Sequence, residues 1–296
     1  KLPLLGVAAA FSFLAMMFNV PLPGGTTGHA VGGTLIAILL GPYAACLSVS
    51  VALLIQALFF GDGGILAFGA NSFNMAFALP FTGYFVYHGV KRLISSDIIA
   101  AGIGSYVGIN VAAFCAAVEF GIQPLLFTDA AGQALYCPYP LSISIPAMMI
   151  GHITIFGLAE VIFTTGVLAY LKKTSPDLFH MTAPASSSKS LFGLLAALIL
   201  ATPLGLLAAG TAWGEWDVEE LAETDFFGAS LGYTPAGMEN GFSFDVLMPD
   251  YAIAGLPDAL GYIISALVGT ALLIIIFKVI ASFLPAKPSF DTPSQH

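Results

Sequence analysis

The chain is poor in charge. Only 8% of its 296 residues are Asp, Glu, Lys or Arg, against about 25% in an ordinary soluble domain, so an ordinary globular enzyme is excluded. Eight Lys and Arg cannot build the basic stripe that binding to a phosphate backbone requires, which excludes nucleic acid as a main partner. Cysteine is equally sparse. Cys46, Cys115 and Cys137 are far apart and form no CxxC or Cys/His spacing, so neither a disulfide framework nor a zinc site is implied. Cys46 and Cys115 lie in apolar runs and read as small buried hydrophobes. Catalytic signatures are missing too. No Lys follows a GxxxxG, so the chain has no P-loop and no ATPase site of its own, and there is no HExxH helix, GxSxG elbow or paired Asp motif. What survives is a transporter or binding subunit rather than an enzyme.

What the chain has in abundance is apolar surface: 58% hydrophobic residues, 24 Phe, 32 Gly and a mean hydropathy of +0.93. Gly permits close helix approach and apolar side chains face hydrocarbon, so this is an integral membrane protein. A bilayer core of about 30 Å needs about 20 apolar residues, and that ruler selects 3–20, 30–60, 68–90, 98–119, 141–171, 191–209 and 259–280. Segment 30–60 divides at Gly41-Pro42, where a helix breaks, into 30–42 and 43–60. Segment 141–171 lacks such a break and reads as one helix with a first turn near Pro146. The expectation is an all-α bundle of about eight transmembrane helices. The opening run could also pass for a signal peptide, but its length and the lack of an Ala-x-Ala site favour a span.

Lys1, Lys91, Arg92, Lys172, Lys173, Lys189, Lys278 and Lys287 then all fall on one side, which the positive-inside rule makes cytoplasmic, with both ends of this chain. Ten acids and no base lie between Trp213 and Asp258: Glu215, Asp217, Glu219, Glu220, Glu223, Asp225, Glu239, Asp245, Asp250 and Asp258. This stretch faces outward, either as a solvated connector or as a loop that attracts cations or docks on the rest of the protein. Residues 174–190 are rich in Ser, Thr and Pro and read as a cytoplasmic linker. They divide a six-helix domain (1–173) from a two-helix module (191–296) with an acidic extracytoplasmic loop (210–258).

Polar residues in or beside spans are functional candidates by default. PLPGGTTGHAVGG (21–33) places His29 among five glycines just before a helix, and FFGDGGILAFGANSFNM (59–75) adds Asp62, Asn71 and Asn74, with Gln56 shortly before. Two outer junctions thus send one imidazole, one carboxylate and three amides to one membrane face. Blander readings stand beside this: His29 as a turn or cap residue, Asp62 as a helix cap, and Asn71 with Asn74 as interhelical glue. His152 and Glu160 share one helix, eight residues apart, and Glu119 ends another; a cation path or plain interhelical hydrogen bonds would both account for them. His88, His180 and His296 fall at cytoplasmic ends or in tails.

PGGTTGHAVGGTLIAILLGP (23–42), LLIQALFFGDGGILAFGANSFNMAF (53–77) and GHITIFGLAEVIFTTGVLAYLKKTSPDL (151–178) resemble the CbiM/NikM family, the substrate-capture subunits of cobalt/nickel energy-coupling-factor transporters. GTAWGEW (210–216) and LMPDYAIAGL (247–256) look like the accessory N subunit or PDGLE-type module fused to that family, while PDALGY (257–262) only loosely echoes PDGLE. The resemblance implies capture of Co²⁺ or Ni²⁺ from outside as the transported ion, with no other cofactor. It also implies a transmembrane coupling subunit and cytosolic ATPases as partners, in the bilayer of a prokaryotic plasma membrane. In the family the ligands are the free amino terminus, the amide and imidazole of a His at the second position, and a His of the GTxxH loop; only the last carries over, onto His29. Gln56, Asp62, Asn71 and Asn74 match the family's outer polar cluster and would hold the ligands in place. The chain begins Lys1-Leu2 rather than Met-His, so a further helix is expected upstream, and the chain as given is expected to bind metal poorly. Two rival readings remain: capture of an organic micronutrient such as a vitamin, and a membrane scaffold with no transport role.

Overall fold

A computed structural model describes residues 2–22, 26–176, 188–208, 210–216, 218, 221, 233–242 and 244–283. Its elements are α1 (Leu2–Met16), β1 (Asn19–Leu22), β2 (Thr26–His29), α2 (Gly33–Leu40), α3 (Pro42–Ile55), α4 (Phe68–Asn71), α5 (Leu79–Leu93), α6 (Asp97–Gly121), α7 (Gln123–Leu126), α8 (Leu141–Gly151), α9 (Gly157–Thr174), α10 (Ser188–Ala201), α11 (Ala236–Glu239) and α12 (Asp258–Phe283). Among the described residues five helical runs are long and apolar enough to cross a bilayer: Pro42–Phe60, Asp97–Leu126, Leu141–Thr174, Lys189–Leu207 and Asp258–Phe283. Pro3–Met16 is a shorter apolar helix. Phe68 to Leu93 is helical throughout, but its asparagines and basic end make it less apolar than those five.

Two features depart from a purely helical reading. The Gly-rich segment forms a two-stranded antiparallel ribbon, in which Asn19 pairs with His29 and Pro21 with Thr27. The run 30–42 is also no full span. Only Gly33–Leu40 is helical, and eight residues at 1.5 Å reach about 12 Å, less than half the hydrocarbon core. Gly32 is the cause, because its left-handed φ of 72° bars a helix from starting earlier. The reversal at Gly41-Pro42 is as expected: Gly41 has φ 93° and Pro42 opens α3, where its missing N–H costs nothing. As expected too, residues 141–174 form one continuous helical run, with Pro146 inside α8.

Three π-helical turns interrupt the long helices, at Gln56–Phe60, Ser72–Ala78 and His152–Phe156. An i→i+5 turn rotates every later side chain around the helix, and such turns recur where a site must be aimed. Here they carry Gln56, Asn74 and His152.

The main core is built on α1. Phe13, Leu14 and Met17 have no exposed surface and pack with Leu35, Val49 and, from the distal module, Ala266, Leu273 and Phe277 of α12. A smaller aromatic cluster, Tyr139 and Trp213 with Phe120 and Trp216, joins the distal loop to α6 and α8. The distal segment therefore packs along the N-terminal helices instead of hanging from them. Of the linker expected at 174–190, residues 177–187 lie outside the described residues, as do Lys1, Lys287, His180, His296 and five of the loop acids: Asp217, Glu219, Glu220, Glu223 and Asp225.

Candidate functional site

His29 ends β2, half-buried, with Gly28 and Ala30 buried on either side. Gly28 is required here, since a Cβ would come within 2.6 Å of the Phe156 ring. The His29 Nδ1 lies 3.3 Å from the Ala30 carbonyl oxygen. From this position the imidazole borders two cavities. The larger, about 730 Å³, is also lined by Asp62, Asn71, Glu215, Asp250 and Tyr251. The smaller, about 130 Å³, is lined by Asn71, Asn74, Met75 and His152 among others.

The sequence-derived candidates are distributed unevenly between these spaces. Asp62 and Asn71 do meet His29 at the larger basin. Asp62 caps no helix; its Oδ2 accepts a 2.9 Å bond from the Gln56 amide and another from the Tyr251 hydroxyl. Gln56 is buried behind Asp62 and does not reach the basin, donating also to the Tyr251 oxygen at 2.8 Å. Asn71 and Asn74 do not act as a pair. Asn71 donates to the Gly63 carbonyl at 3.1 Å, steadying the glycine turn that holds Asp62, whereas Asn74 donates to Glu119 on α6 at 2.7 Å. His152 donates from Nδ1 to the Met148 carbonyl at 2.8 Å, leaving Nε2 as the acceptor of the neutral ring. Glu160 accepts from two backbone amides, Val31 and Gly32.

What composition and spacing did not reveal is how much of the basin comes from the distal module. Residues 210–212 run beside β2: Thr27 bridges to Ala212, Thr26 Oγ1 donates to the Thr211 carbonyl at 3.3 Å, and Thr27 Oγ1 to that of Gly210 at 3.4 Å. This contact carries Glu215 to the basin. Glu215 lines the basin with its side chain exposed. The enclosing protein, and then the Asp62 carboxylate, push its carboxyl up to about 7. Asp250 is raised in the same direction by burial and by Asp62.

Tyr251 is inserted from the same module. It is buried, stacks on Phe60 at 4.9 Å and meets Phe13 edge-on at 6.2 Å. Burial and Asp62 raise its hydroxyl well above the ordinary value, so it remains a neutral donor. Asp250 and Tyr251 both have positive φ, 50° and 61°. Two successive left-handed non-glycine residues persist only where surrounding contacts hold them. Here Met248 N–H bonds to the Phe59 carbonyl at 2.9 Å and Ser265 Oγ to the Tyr251 carbonyl at 2.8 Å. Nothing in the spacing of the sequence signals this insertion.

The basin gathers one imidazole, the amides of Asn19 and Asn71 and three carboxylates, two of which bear protons more readily than free acids. Among the described residues no three His, Cys, Asp or Glu side chains are close enough to enclose a metal ion by themselves.

The family described as the cobalt uptake substrate-specific transmembrane region (CbiM) matches residues 1–178, and the PDGLE domain matches residues 187–286. The chain is 48% identical over 277 residues to the probable fused nickel transport protein LarMN of Lactiplantibacillus plantarum, spanning 94% of this chain and 84% of that one. It is 50% identical over 291 residues to the fused nickel transport protein NikMN of Rhodobacter capsulatus, spanning 92% and 84%. Among solved structures, a transition metal transporter superposes with a TM-score of 0.57 at 52% identity, over 61% of this chain and 80% of that chain. A truncated transition metal transporter gives 0.55 at 54% identity, over 58% and 80%.

Proposed function

Because this chain belongs to the CbiM family and is a multi-pass protein of the prokaryotic plasma membrane, we propose that it is the substrate-capture component of an energy-coupling-factor importer for Ni²⁺ or Co²⁺. The cation is taken at the outer face with His29 as the imidazole ligand that this chain contributes. Nitrogen donors suit both ions, so the donor set admits either. A transmembrane coupling subunit and cytosolic ATPases supply the work of moving it inward.

The observation that carries this reading is the shared basin. His29, Asp62 and Asn71 from the CbiM-matched residues and Glu215 and Asp250 from the PDGLE-matched residues line one cavity. Clustered carboxylates raise the local concentration of a divalent cation. Asp62 and Asn71 line the ion's approach, while Gln56 and Asn74 hold Asp62 and Glu119 from behind. The acidic loop, of which Glu215 and Asp250 are part, both attracts the ion and keeps the basin wall closed against β2.

The topology we assign has eight membrane-embedded helical segments, α2 being a half-length one, with both ends of this chain and its basic residues on the cytoplasmic side. The capture domain covers 1–173, a cytoplasmic linker 174–190, and the accessory module 191–296 with its outer loop 210–258.

Thermal unfolding of the detergent-solubilised full-length protein with added ligands tests the cargo, because whatever binds the folded state raises its stability. Protection by Ni²⁺ or Co²⁺ is expected; protection by a vitamin and not by either metal would overturn the assignment, and copurification without any ATPase would favour a scaffold. In cells supplying the partner subunits, Asp62→Ala is expected to lower nickel uptake, and unchanged uptake would remove Asp62 from the ion's path.

A further inference from the structure

Glu160 lies on α9 inside the Leu141–Thr174 span, with 0% of its surface exposed. A carboxylate so placed is costly unless something answers its charge. Among the described residues no base is paired with it. Instead its Oε2 accepts the backbone N–H of Val31 at 2.7 Å and of Gly32 at 3.0 Å.

Those two amides are a particular pair. They sit two and three residues beyond His29, in the non-helical stretch before the half-length α2. Gly32 is the N-cap of that helix and has no side-chain cap of its own. The first N–H groups of a helix have no intrahelical partner, and at membrane depth no bulk water can serve them, so irregular backbone survives there only where protein answers it. Glu160 answers both amides with one oxygen, at the positive end of α2.

The remaining bonds of this stretch are held as well. The Val31 carbonyl accepts from Ser12 Oγ at 2.8 Å, and the Gly32 carbonyl from the Ile36 N–H at 3.1 Å. On the other side, His29 is fixed by its pairing with Asn19. Among the described residues the imidazole has only a 3.3 Å approach to the neighbouring Ala30 carbonyl, so its direction is set by the backbone that carries it.

We propose that Glu160 is a positioning residue for the cargo site: by clamping Val31 and Gly32 from a different helix it fixes where His29 presents its ring. This rests on the reading of His29 as a metal ligand. It also makes a distinction that can be measured. Both bonds converge on one oxygen, so the amide oxygen of Gln can replace it; Leu cannot.

The test uses the full protein with its partner subunits in cells, measuring radiolabelled nickel uptake, together with amide exchange of residues 30–33 in the purified protein. Glu160→Leu is expected to raise the apparent KM for nickel about tenfold or more, the usual scale for loss of a group that orients a metal ligand, and to speed exchange of Val31 and Gly32. Glu160→Gln is expected to keep both amides slow and to stay within about threefold of the parent in KM. A folded Glu160→Gln protein that has lost uptake while its amides stay protected overturns the proposal, because the charge and not the clamp would then matter. Parental uptake in Glu160→Leu overturns it as well. Should the Leu variant fail to fold, Ser12→Ala loosens the same turn from its carbonyl side and is expected to raise KM in the same sense; unchanged KM counts against the clamp. His29→Ala separates the two claims. Undiminished uptake in that variant removes His29 from the cargo site, whereas the exchange of residues 30–33 still reports whether Glu160 holds the turn.

Discussion

Tyr251→Phe is the sharpest probe of how the two parts of the chain are joined. The substitution keeps the ring between Phe60 and Phe13 and removes one oxygen. That oxygen bonds to the Asp62 carboxylate and accepts the 2.8 Å bond from Gln56. A hydrogen bond to a charged group contributes about 1.5–3 kcal/mol and a neutral one about 0.5–1.5 kcal/mol. Asp62 retains its 2.9 Å bond from Gln56 and borders the basin, where water can replace part of the loss. The net cost is therefore about 2 kcal/mol, toward the lower end of the sum. If this docking contact opens locally, 2 kcal/mol corresponds to about thirtyfold faster amide exchange. The Met248 amide, bonded to the Phe59 carbonyl at 2.9 Å, is the natural reporter. Exchange at Ala100 and Ala101, at the opposite end of α6 from Phe120, should not change. An acceleration at Met248 smaller than about threefold, under 1 kcal/mol, would mean that the hydroxyl does not latch the module.

Two further outcomes follow from the same geometry. Glu215 has a folded-state pKa near 7, above the ordinary 4.5, so the folded protein binds more protons between those values. Docking of its loop is thus strongest on the acid side and weakens as pH rises through 7. The chain has two tryptophans, Trp213 and Trp216, both beside Glu215. Their fluorescence should titrate with a midpoint near 7. Glu215→Gln should abolish that transition, and a pH-independent signal in the parent would refute the assignment. In the bundle itself, a Cβ on Gly108 would stand 2.7 Å from the Leu79 carbonyl oxygen and 3.3 Å from the Gly83 Cα. Gly108→Ala should therefore separate α5 from α6 at a cost of about 1–3 kcal/mol, read as a lowered unfolding temperature; no change would show that the helices can yield.

Long apolar runs were legible because a bilayer imposes a length, and the Gly41-Pro42 reversal was legible because both residues act on their own backbone. The half-length α2 was not. Hydropathy sees residues 30–42 as uniformly apolar, while the left-handed Gly32 and the ribbon before it depend on partners in α1 and α9. Gln56, Asn71 and Asn74 were identified as polar residues in an apolar setting, but their separate tasks could not be read from spacing. Two π turns rotate Gln56 and Asn74 relative to the regular pattern, and the partners of Gln56 and Asn74 lie on other elements.

The sequence by itself determined the solvent and where the polar residues gather. Its scarcity of charge and its apolar runs place the chain in lipid, and the Gly-rich His loop and the Asp and amides near it stand out against that apolar background. Those are consequences of composition and local backbone chemistry, which neighbouring residues settle among themselves. Only the tertiary structure decided what answers those groups. Tyr251 arrives at Asp62 across 189 residues and Glu160 at Val31 across 129. A buried polar group in a membrane protein must find its partner wherever the packing of helices supplies one, so the completion of this site is a property of the bundle and not of any one segment.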